Sequence, residues 1–534
     1  MYGIIHGLHA QRDSGAGRLV LVLLAAVVLL AVSAGALYAW QSLAPRASGI
    51  AEPDYWPTAG WRTSPPEAQG WDSQKMADGL LAVQKDGARV HSLMLVRNGY
   101  VFLDAYFAPY DGSMYHDMAS VTKSVMTTLI AIAADQGKLK LDEPMLSYFP
   151  DRTIADRDAR KERITVRHLA GMTSGLECDS LDDWANVAPM QASADWVQHA
   201  LDRKAVREPG SAFAYCSPDT HLLSAILQEA TGMSAVEFAR ANLFEPLGIK
   251  DVYWASDPQG YTRGWGDLAL YPRDAAKIGL LFMQGGRWEG RQIVSAEWVA
   301  QATRVQVTTE PQRGEDYGYG WWVTRADADI PYFAADGRMG QRIVLVPVLN
   351  IMIVSTGAGF EMSDVLDAHL VPAMLDTEHA LPANPAGVER LAAVVASLAQ
   401  PPAAQAVPPL PATAPAMSGR VCSIEATEIG KPWLRLDFDA PDEATFTMDF
   451  ANGEGLRVSG VGLDGVYRPS REGRPVLARG RWLDEQTFEI DYSQGPGLND
   501  MTLRLRFDGD HITFELEEVQ SGVQISAEGT CGQP

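Results

Sequence analysis

Residues 379–417 divide the chain into two regions with different hydrophobic patterns. The segment is rich in Ala and Pro and holds one short helix-like piece, residues 388–398, which indicates a linker. Before it, apolar residues recur at both helical and strand spacing; after it, they alternate in short runs. A chain of 534 residues is also too long for one compact domain. We therefore expect a mixed α and β region followed by an all-β domain.

The expected all-β domain covers residues 418–534. Its alternating runs are separated by Gly, Asp and Pro and lie at 433–438, 444–450, 476–482, 487–492, 501–507 and 511–517. Such runs predict a sandwich or a barrel. The region shows no cluster of acid, base and nucleophile, so a structural or substrate-gating accessory is favoured over a second active site.

The mixed region, residues 68–378, predicts an α+β domain. A helix over 71–85 leads into two apolar runs on either side of Asn98-Gly99, a strong hairpin signal. Further helices are predicted at 219–231, 234–242, 272–284 and 295–303, and a second hairpin at 342–347 and 351–355. Helices between two sets of strands suit a sheet that distant parts of the chain complete.

The N-terminal segment predicts a membrane anchor. Residues 19–39 carry no charge and are long enough to cross a bilayer as a helix. Arg12 and Arg18 precede it, so residues 1–18 are expected in the cytoplasm, 19–40 as a transmembrane signal-anchor and 41–67 as a tether. The alternative is cleavage after residues 34–36, giving a secreted protein. Either way the body is exported, to the periplasmic side if the source is bacterial.

The four cysteines agree with export. Cys178 and Cys216 lie in the mixed region, and Cys422 and Cys531 lie at the two ends of the all-β region. This distribution predicts one disulfide within each domain. No Cys-x-x-Cys pair argues for zinc or redox chemistry, and we expect no metal and no cofactor.

The charge of the chain argues against a nucleic-acid partner. The formal net charge is −23 and the pI is near 4.8. A protein that binds a phosphate backbone needs clustered Lys and Arg to neutralise it. The acidity therefore indicates solubility, and the expected partner is a small molecule.

The pair Ser120 and Lys123 is a candidate for nucleophilic catalysis. Three residues apart at the start of an apolar run, their side chains fall on one face of a helix. A hydroxyl needs a neighbour to take its proton, and a buried lysine with a depressed pKa can do so. Chance alone produces Ser-x-x-Lys about once or twice in a chain of this length, so the pair requires further support.

Two further segments add to this pair. Tyr215 stands just before a predicted helix, with Ser217 two places on, and a phenol beside an ammonium can have its pKa lowered and relay protons. Residues 335–341 precede the second hairpin, and their small side chains allow backbone to approach a substrate. An N–H group from that strand could join the Ser120 N–H in an oxyanion hole.

With these three pieces in chain order, residues 68–378 resemble the serine β-lactamase and penicillin-recognising superfamily. Similarity to the esterases related to class C enzymes and to the 6-aminohexanoate-dimer hydrolases is strongest, and residues 164–169, 173–176, 208–210, 270–274 and 340–343 also support it. The resemblance implies an antiparallel sheet with helices on both faces plus an all-helical subdomain. The C-terminal region resembles a lipocalin-like appendage.

The resemblance also implies roles for single residues. Ser120 corresponds to the acylated nucleophile, Lys123 to its base partner and Tyr215 to a second proton-handling residue. The backbone N–H groups of Ser120 and Arg338 correspond to the oxyanion hole. Ser217, Gly337, Gly340 and Gln341 fall at substrate-binding positions. Residues 335–337 stand where penicillin-processing members carry Lys-Thr-Gly, so the cation that grips a penicillin carboxylate is missing.

The expected activity is hydrolysis of an ester or amide through an acyl-enzyme on Ser120. One alternative is a D-amino-acid carboxypeptidase, peptidase or β-lactamase acting on cell-wall peptides or β-lactams. A silent ligand-binding domain of the penicillin-binding type is the alternative of another class. His168 and His221 are expected to be structural. The acidic loop at 177–184 is expected to be solvated, and the alternative is that Asp179, Asp182 and Asp183 attract a cationic end of the substrate. Trp265, Trp321 and Trp322 suit either an acyl pocket or the core.

Overall fold

A computed structural model describes residues 53–425, 431–449, 456–472, 476–494, 499–519 and 522–532. The predicted signal-anchor and cytoplasmic tail lie outside these residues. Within the described ranges no helix is both long and apolar enough to span a bilayer.

The α-helices lie mostly before residue 380. Their bounds are α1 Ser73–Lys85, α2 Val121–Asp135, α3 Val166–Ala170, α4 Trp184–Ala192, α5 Trp196–Asp202, α6 Ser217–Thr231, α7 Ala235–Ala239, α8 Pro272–Met283, α9 Ala296–Ala302, α10 Met362–Val365, α11 Pro385–Leu398 and α12 Thr413–Met417. The predicted helices at 71–85, 219–231, 272–284 and 295–303 are therefore confirmed to within about two residues at each end. The predicted helix at 234–242 is a short α-helix followed by a π-helical turn, Arg240–Phe244.

The mixed region contains twelve described strands. They are β1 Val90–Arg97, β2 Tyr100–Tyr106, β3 His116–Asp117, β4 Tyr253–Trp254, β5 Leu268–Leu270, β6 Arg287–Trp288, β7 Arg291–Gln292, β8 Glu315–Tyr317, β9 Trp322–Thr324, β10 Phe333–Gly337, β11 Gln341–Val346 and β12 Ile351–Gly357. Seven of them form one antiparallel sheet in the order β2-β1-β12-β11-β10-β9-β8. The pairing of β1 with β12 confirms that distant parts of the chain complete the sheet.

The hairpin at Asn98-Gly99 forms as predicted. Both residues have positive φ, 52° and 83°, which is the backbone of a type I′ turn. The turn joins β1 to β2, and β1 lies one strand in from the edge of the sheet. This hairpin sets the register at one end of the sheet, whereas the site described below lies near its other half, at β10.

The second domain is a closed ten-stranded antiparallel barrel. Its strands are β13 Val421–Ile424, β14 Trp433–Asp437, β15 Glu443–Asp449, β16 Leu456–Gly462, β17 Arg468–Glu472, β18 Val476–Trp482, β19 Thr487–Gln494, β20 Asn499–Asp508, β21 His511–Glu518 and β22 Gln524–Gly532. All six predicted strands are present, and β13, β16, β17 and β22 were missed. Pairing of β13 with β22 closes the barrel, which decides between the two predicted architectures.

Both predicted disulfides are present. Cys178 is bonded to Cys216, and Cys422 is bonded to Cys531 across the β13–β22 closure. No free cysteine occurs among the residues that the structure describes. The two bonds indicate folding in an oxidising compartment.

Parts of the predicted tether and linker pack against the first domain. The Tyr55 hydroxyl donates to the Gly99 carbonyl at 2.6 Å, and Glu67 is buried. Helix α11 buries Leu391 and Leu398 in the same core cluster as α1, and Arg390 forms an ion pair with Asp78. The domain bounds at 67, 378 and 417 stay predictions, but order in the first domain extends beyond two of them.

Candidate active site

Ser120 lies at the N-terminus of α2, directly after a strained turn. Ala119 has a positive φ of 46°, which is uncommon for a residue with a side chain. The Asp117 carboxylate holds this turn by accepting a hydrogen bond from the Ala119 N–H at 2.7 Å. Ser120 itself is half-buried and faces an open cleft, so its hydroxyl is accessible at a helix N-terminus.

Lys123 lies one helical turn beyond Ser120 and is almost fully buried. Helix α2 is enclosed on nearly all sides, since thirteen of its fifteen residues are buried. The Lys123 Nζ is 2.9 Å from the Ser120 Oγ and 3.0 Å from the Trp265 carbonyl oxygen, to which it donates. Burial lowers the pKa of Lys123 to about 8, and the nearby Asp183 carboxylate opposes that fall. Near neutral pH the amine can therefore lose its proton and accept one from Ser120.

Tyr215 completes a three-residue cluster. The Lys123 Nζ lies 4.8 Å from the centre of the Tyr215 ring, and the ring stacks on Trp322 at 5.9 Å. Burial raises the pKa of Tyr215 well above its ordinary value, and the nearby Tyr317 and Asp183 raise it further, whereas a hydrogen bond with Ser120 lowers it. The expectation of a lowered pKa is wrong in direction, because burial raises the pKa more than the hydrogen bond with Ser120 lowers it. Tyr215 is thus a neutral phenol that can donate a proton.

The end of β10 lies against the turn that carries Ser120. A Cβ placed on Gly337 would lie 2.7 Å from the Met118 carbonyl oxygen and 3.0 Å from the Ala119 Cβ. Only a residue without a side chain permits this approach. Arg338 follows immediately, and both residues line the same cleft as Ser120. The oxyanion hole formed by the backbone N–H groups of Ser120 and Arg338 stays a prediction.

A cleft of about 1390 Å³ contains Ser120, Tyr215, Gly337 and Arg338. Its inner wall includes three buried aromatic side chains, Phe213, Trp265 and Trp322. Two of the three tryptophans proposed for an acyl pocket therefore lie in it, while Trp321 is buried in the core. The chain thus brings a serine hydroxyl, a lysine amine and a phenol together beside an aromatic cavity.

The β-lactamase family model matches residues 67–372, more than half of the chain. The chain belongs to the β-lactamase family. Membership of this family supports a serine hydrolase in general, and it confirms the resemblance seen in the sequence.

Individual relatives are distant. A 6-aminohexanoate-dimer hydrolase of Paenarthrobacter ureafaciens is 25% identical over 284 residues, which cover 49% of this chain and 71% of that protein. Protein flp of Staphylococcus aureus (strain MW2) is 25% identical over 189 residues, 34% of this chain and 38% of that protein. A solved family VIII carboxylesterase is 17% identical with a TM-score of 0.45, covering 63% of this chain and 98% of that one.

Asp183 lines the cleft, whereas the sequence favoured a solvated position for it. Its loop, residues 177–184, was expected to be solvated, but Asp183 is only partly exposed and lines the cleft. Its carboxylate accepts hydrogen bonds from both the N–H and the hydroxyl of Ser217. The Cys178–Cys216 disulfide brings this loop to α6 and is the one signal that could have located it.

Three predicted substrate-binding residues lie behind the cleft wall. Ser217 is fully buried and its hydroxyl is used by Asp183. The Gln341 side chain is also fully buried, donating to the carbonyls of Arg338 and Gly357. A Cβ on Gly340 would meet the Phe360 ring. The polar side-chain atoms of Ser217 and Gln341 are already hydrogen-bonded within the protein. These two residues therefore hold neighbouring segments of the site in place.

The two histidines have structural surroundings. His221 is fully buried, 3.1 Å from the Asp257 carboxylate, and its ring packs against Trp265. The His168 Nδ1 accepts a hydrogen bond from the Thr165 N–H in the capping box of α3. No group of three or more His, Cys, Asp or Glu side chains among the described residues is arranged to hold a metal ion.

Proposed function

We propose that this protein hydrolyses an ester or amide bond through an acyl-enzyme on Ser120. The observation that carries the proposal is the 2.9 Å distance from the Ser120 Oγ to a buried Lys123 Nζ with a pKa of about 8. A lysine base requires a depressed pKa to work near neutral pH, and burial in α2 provides it. The similarity to a protein named as a 6-aminohexanoate-dimer hydrolase supports the proposal.

The proposed reaction has two halves. Neutral Lys123 takes the Ser120 proton while the Oγ forms a bond to the carbonyl carbon, and the oxyanion accepts hydrogen bonds from the N–H groups of Ser120 and Arg338. The Tyr215 phenol protonates the leaving oxygen or nitrogen and regains a proton from the Lys123 ammonium. Water then attacks the acyl-enzyme along the same route and restores Ser120.

A β-lactam substrate is disfavoured by the residues at the end of β10. Ala335, where penicillin-processing relatives carry a lysine, is fully buried. Asp336 forms ion pairs with Arg313 at 3.0 Å and Arg342 at 2.9 Å. The cation that would bind a penicillin carboxylate is therefore absent at position 335, and a neutral ester or amide fits the site better.

Mass spectrometry of the labelled full-length chain tests this proposal. The chain is incubated with a fluorophosphonate, with p-nitrophenyl esters and with a penicillin, and the modified peptide is then located. We expect a fluorophosphonate adduct on Ser120 and no ester hydrolysis by Ser120→Ala. Ser180→Ala is the control, because Ser180 is a second serine in the cleft wall and its loss should leave the adduct in place. Absence of an adduct at Ser120 refutes the proposal, and a stable penicillin adduct favours a cell-wall peptide substrate.

A further inference from the structure

The barrel contributes to the wall of the active-site cleft. Glu518, at the end of β21, and Val523, just before β22, line the cleft together with Ser120. The two domains also contact each other elsewhere. The Tyr110 hydroxyl lies 3.3 Å from the Ser493 hydroxyl, and Arg89 lies 3.7 Å from the Asp500 carboxylate. Direct contacts between the two domains therefore hold the end of the barrel beside the site.

The outer part of the cleft presents apolar side chains to solvent. Leu181 is 89% exposed and Trp184 is 63% exposed on the side of the acidic loop, and Val523 is 50% exposed on the barrel. All three line the cleft. Soluble proteins seldom gather large exposed apolar residues around one cavity unless the cavity binds an apolar group. These apolar residues come from both domains.

The charge and the volume of the cleft indicate which class of ligand it can bind. Six carboxylates and three guanidinium groups line the cleft. Of the three arginines, Arg263 forms an ion pair with Asp267, and Arg313 forms one with Asp336. An anionic substrate is therefore disfavoured. At about 1390 Å³ the cleft exceeds the roughly 300–1,000 Å³ usual for a small-molecule site. Both features suit an extended, neutral and apolar substrate.

We propose that Val523 of the barrel, together with Leu181 and Trp184 of the first domain, forms a binding site for a long, neutral, apolar acyl chain. The inference rests on the proposed function, since the chain would be the acyl group that Ser120 receives. The carbonyl end lies among Phe213, Trp265 and Trp322, and the distal methylenes lie against the exposed apolar residues. Val523 is thus a specificity-determining residue, and the barrel is part of the substrate-binding site.

Chain-length selectivity tests this inference. The ratio of kcat/KM for p-nitrophenyl octanoate to that for p-nitrophenyl butyrate is measured on the full-length protein. We expect a ratio above about tenfold in the unaltered protein, since each fully buried methylene contributes up to roughly fourfold. Val523→Asp should lower the ratio about tenfold. Val519→Asp is the matched control, because Val519 is also exposed at this end of the barrel but does not line the cleft.

A second variant distinguishes a local effect of Val523→Asp from misfolding of the barrel. Leu181→Ser alters the part of the lining that the first domain contributes, far from the barrel in sequence, and should also lower the ratio. An unchanged ratio in Val523→Asp, or an equal fall in Val519→Asp, overturns the role of the barrel. If the unaltered protein hydrolyses neither ester, the proposed function fails, and calorimetry of 1-decanol binding to Ser120→Ala decides the apolar site independently. Decanol binding that Val523→Asp weakens supports the site, and no binding overturns it.

Discussion

Asp183 accepts two hydrogen bonds from Ser217, one from its backbone N–H at 3.0 Å and one from its hydroxyl at 2.5 Å. Asp183 immediately precedes α4, and Ser217 begins α6. The Cys178–Cys216 disulfide joins the same two segments. The acidic loop is therefore held beside Tyr215 by a covalent bond and by a charge-assisted pair, which places a carboxylate close to the catalytic candidate Lys123.

The first prediction concerns the effect of Asp183 on the pH dependence of the reaction. Lys123 acts as a base only when neutral, so kcat/KM should rise with pH and reach half its maximum near the Lys123 pKa of about 8. The Asp183 carboxylate favours the ammonium form and raises that pKa. Asp183→Asn should therefore move the rising limb to lower pH, as measured with a p-nitrophenyl ester.

Asp182→Asn is the control for this shift. Asp182 belongs to the same loop, is exposed, and accepts the Trp184 N–H at 3.1 Å, a bond that an Asn oxygen can keep. Its loss of charge should leave the pH profile in place. A shift of the Asp183→Asn profile to higher pH, or an equal shift in both variants, would contradict a direct effect on Lys123.

Tyr215→Phe tests the role of the neutral phenol. Because burial keeps the pKa of Tyr215 high, the hydroxyl remains protonated over the working range and can donate to the leaving group. Removing it should lower kcat by about 10²–10⁴-fold, the usual contribution of a general acid. The ring still stacks on Trp322, so KM should change little. An aryl ester with a good leaving group should lose less activity than an alkyl ester, and equal losses would argue against proton donation.

Local patterns in the sequence identified much of the site but not its electrostatics. Ser120 and Lys123 are three residues apart, and helix geometry alone places them together. Tyr215 was located by its position before α6, yet its pKa depends on burial and on Tyr317 and Asp183, which lie far apart in sequence. A solvated position was favoured for Asp183 because an acidic loop without periodicity is usually solvated. The predicted Cys178–Cys216 disulfide could have placed the loop near α6, but not the Asp183 carboxylate against Ser217.

In the barrel, too, features set by local sequence were predicted, whereas features that depend on distant residues were not. Six strands alternate clearly and were predicted. In β16 two Gly residues obscure the alternation, and β17 consists of Arg, Pro, Ser and Glu residues without an apolar strand pattern. The contribution of Glu518 and Val523 to the cleft depends on how two domains pack, for which no local pattern exists. The disulfides were predictable, since two cysteines fall within each domain.

Gly337→Ala tests the close contact of β10 with the Ser120 turn. The added methyl group would lie 2.7 Å from the Met118 carbonyl oxygen, so the strand or the turn must move. A shift of about 1 Å in the position of the oxyanion donors should lower kcat on the order of 10²-fold. Fluorophosphonate labelling of Ser120 should slow in parallel, because it uses the same backbone groups. A fully active Gly337→Ala protein would show that the Arg338 N–H does not take part.

The last prediction concerns the disulfide that closes the barrel. Cys422 and Cys531 are 109 residues apart and face each other across the β13–β22 pairing. In the chain-entropy model, a loop of this length contributes about 4–5 kcal/mol to the free energy of unfolding. The double variant Cys422→Ser, Cys531→Ser should lose that amount in a urea titration followed by tryptophan fluorescence. The Cys178–Cys216 disulfide closes a shorter loop, of 38 residues. The double variant Cys178→Ser, Cys216→Ser should therefore lose less stability than the barrel variant. It should lose more activity, because the loop that carries Asp183 is no longer covalently held beside the site. If instead the barrel variant lost activity on short esters with no loss of stability, the bond would act on the site rather than on the barrel.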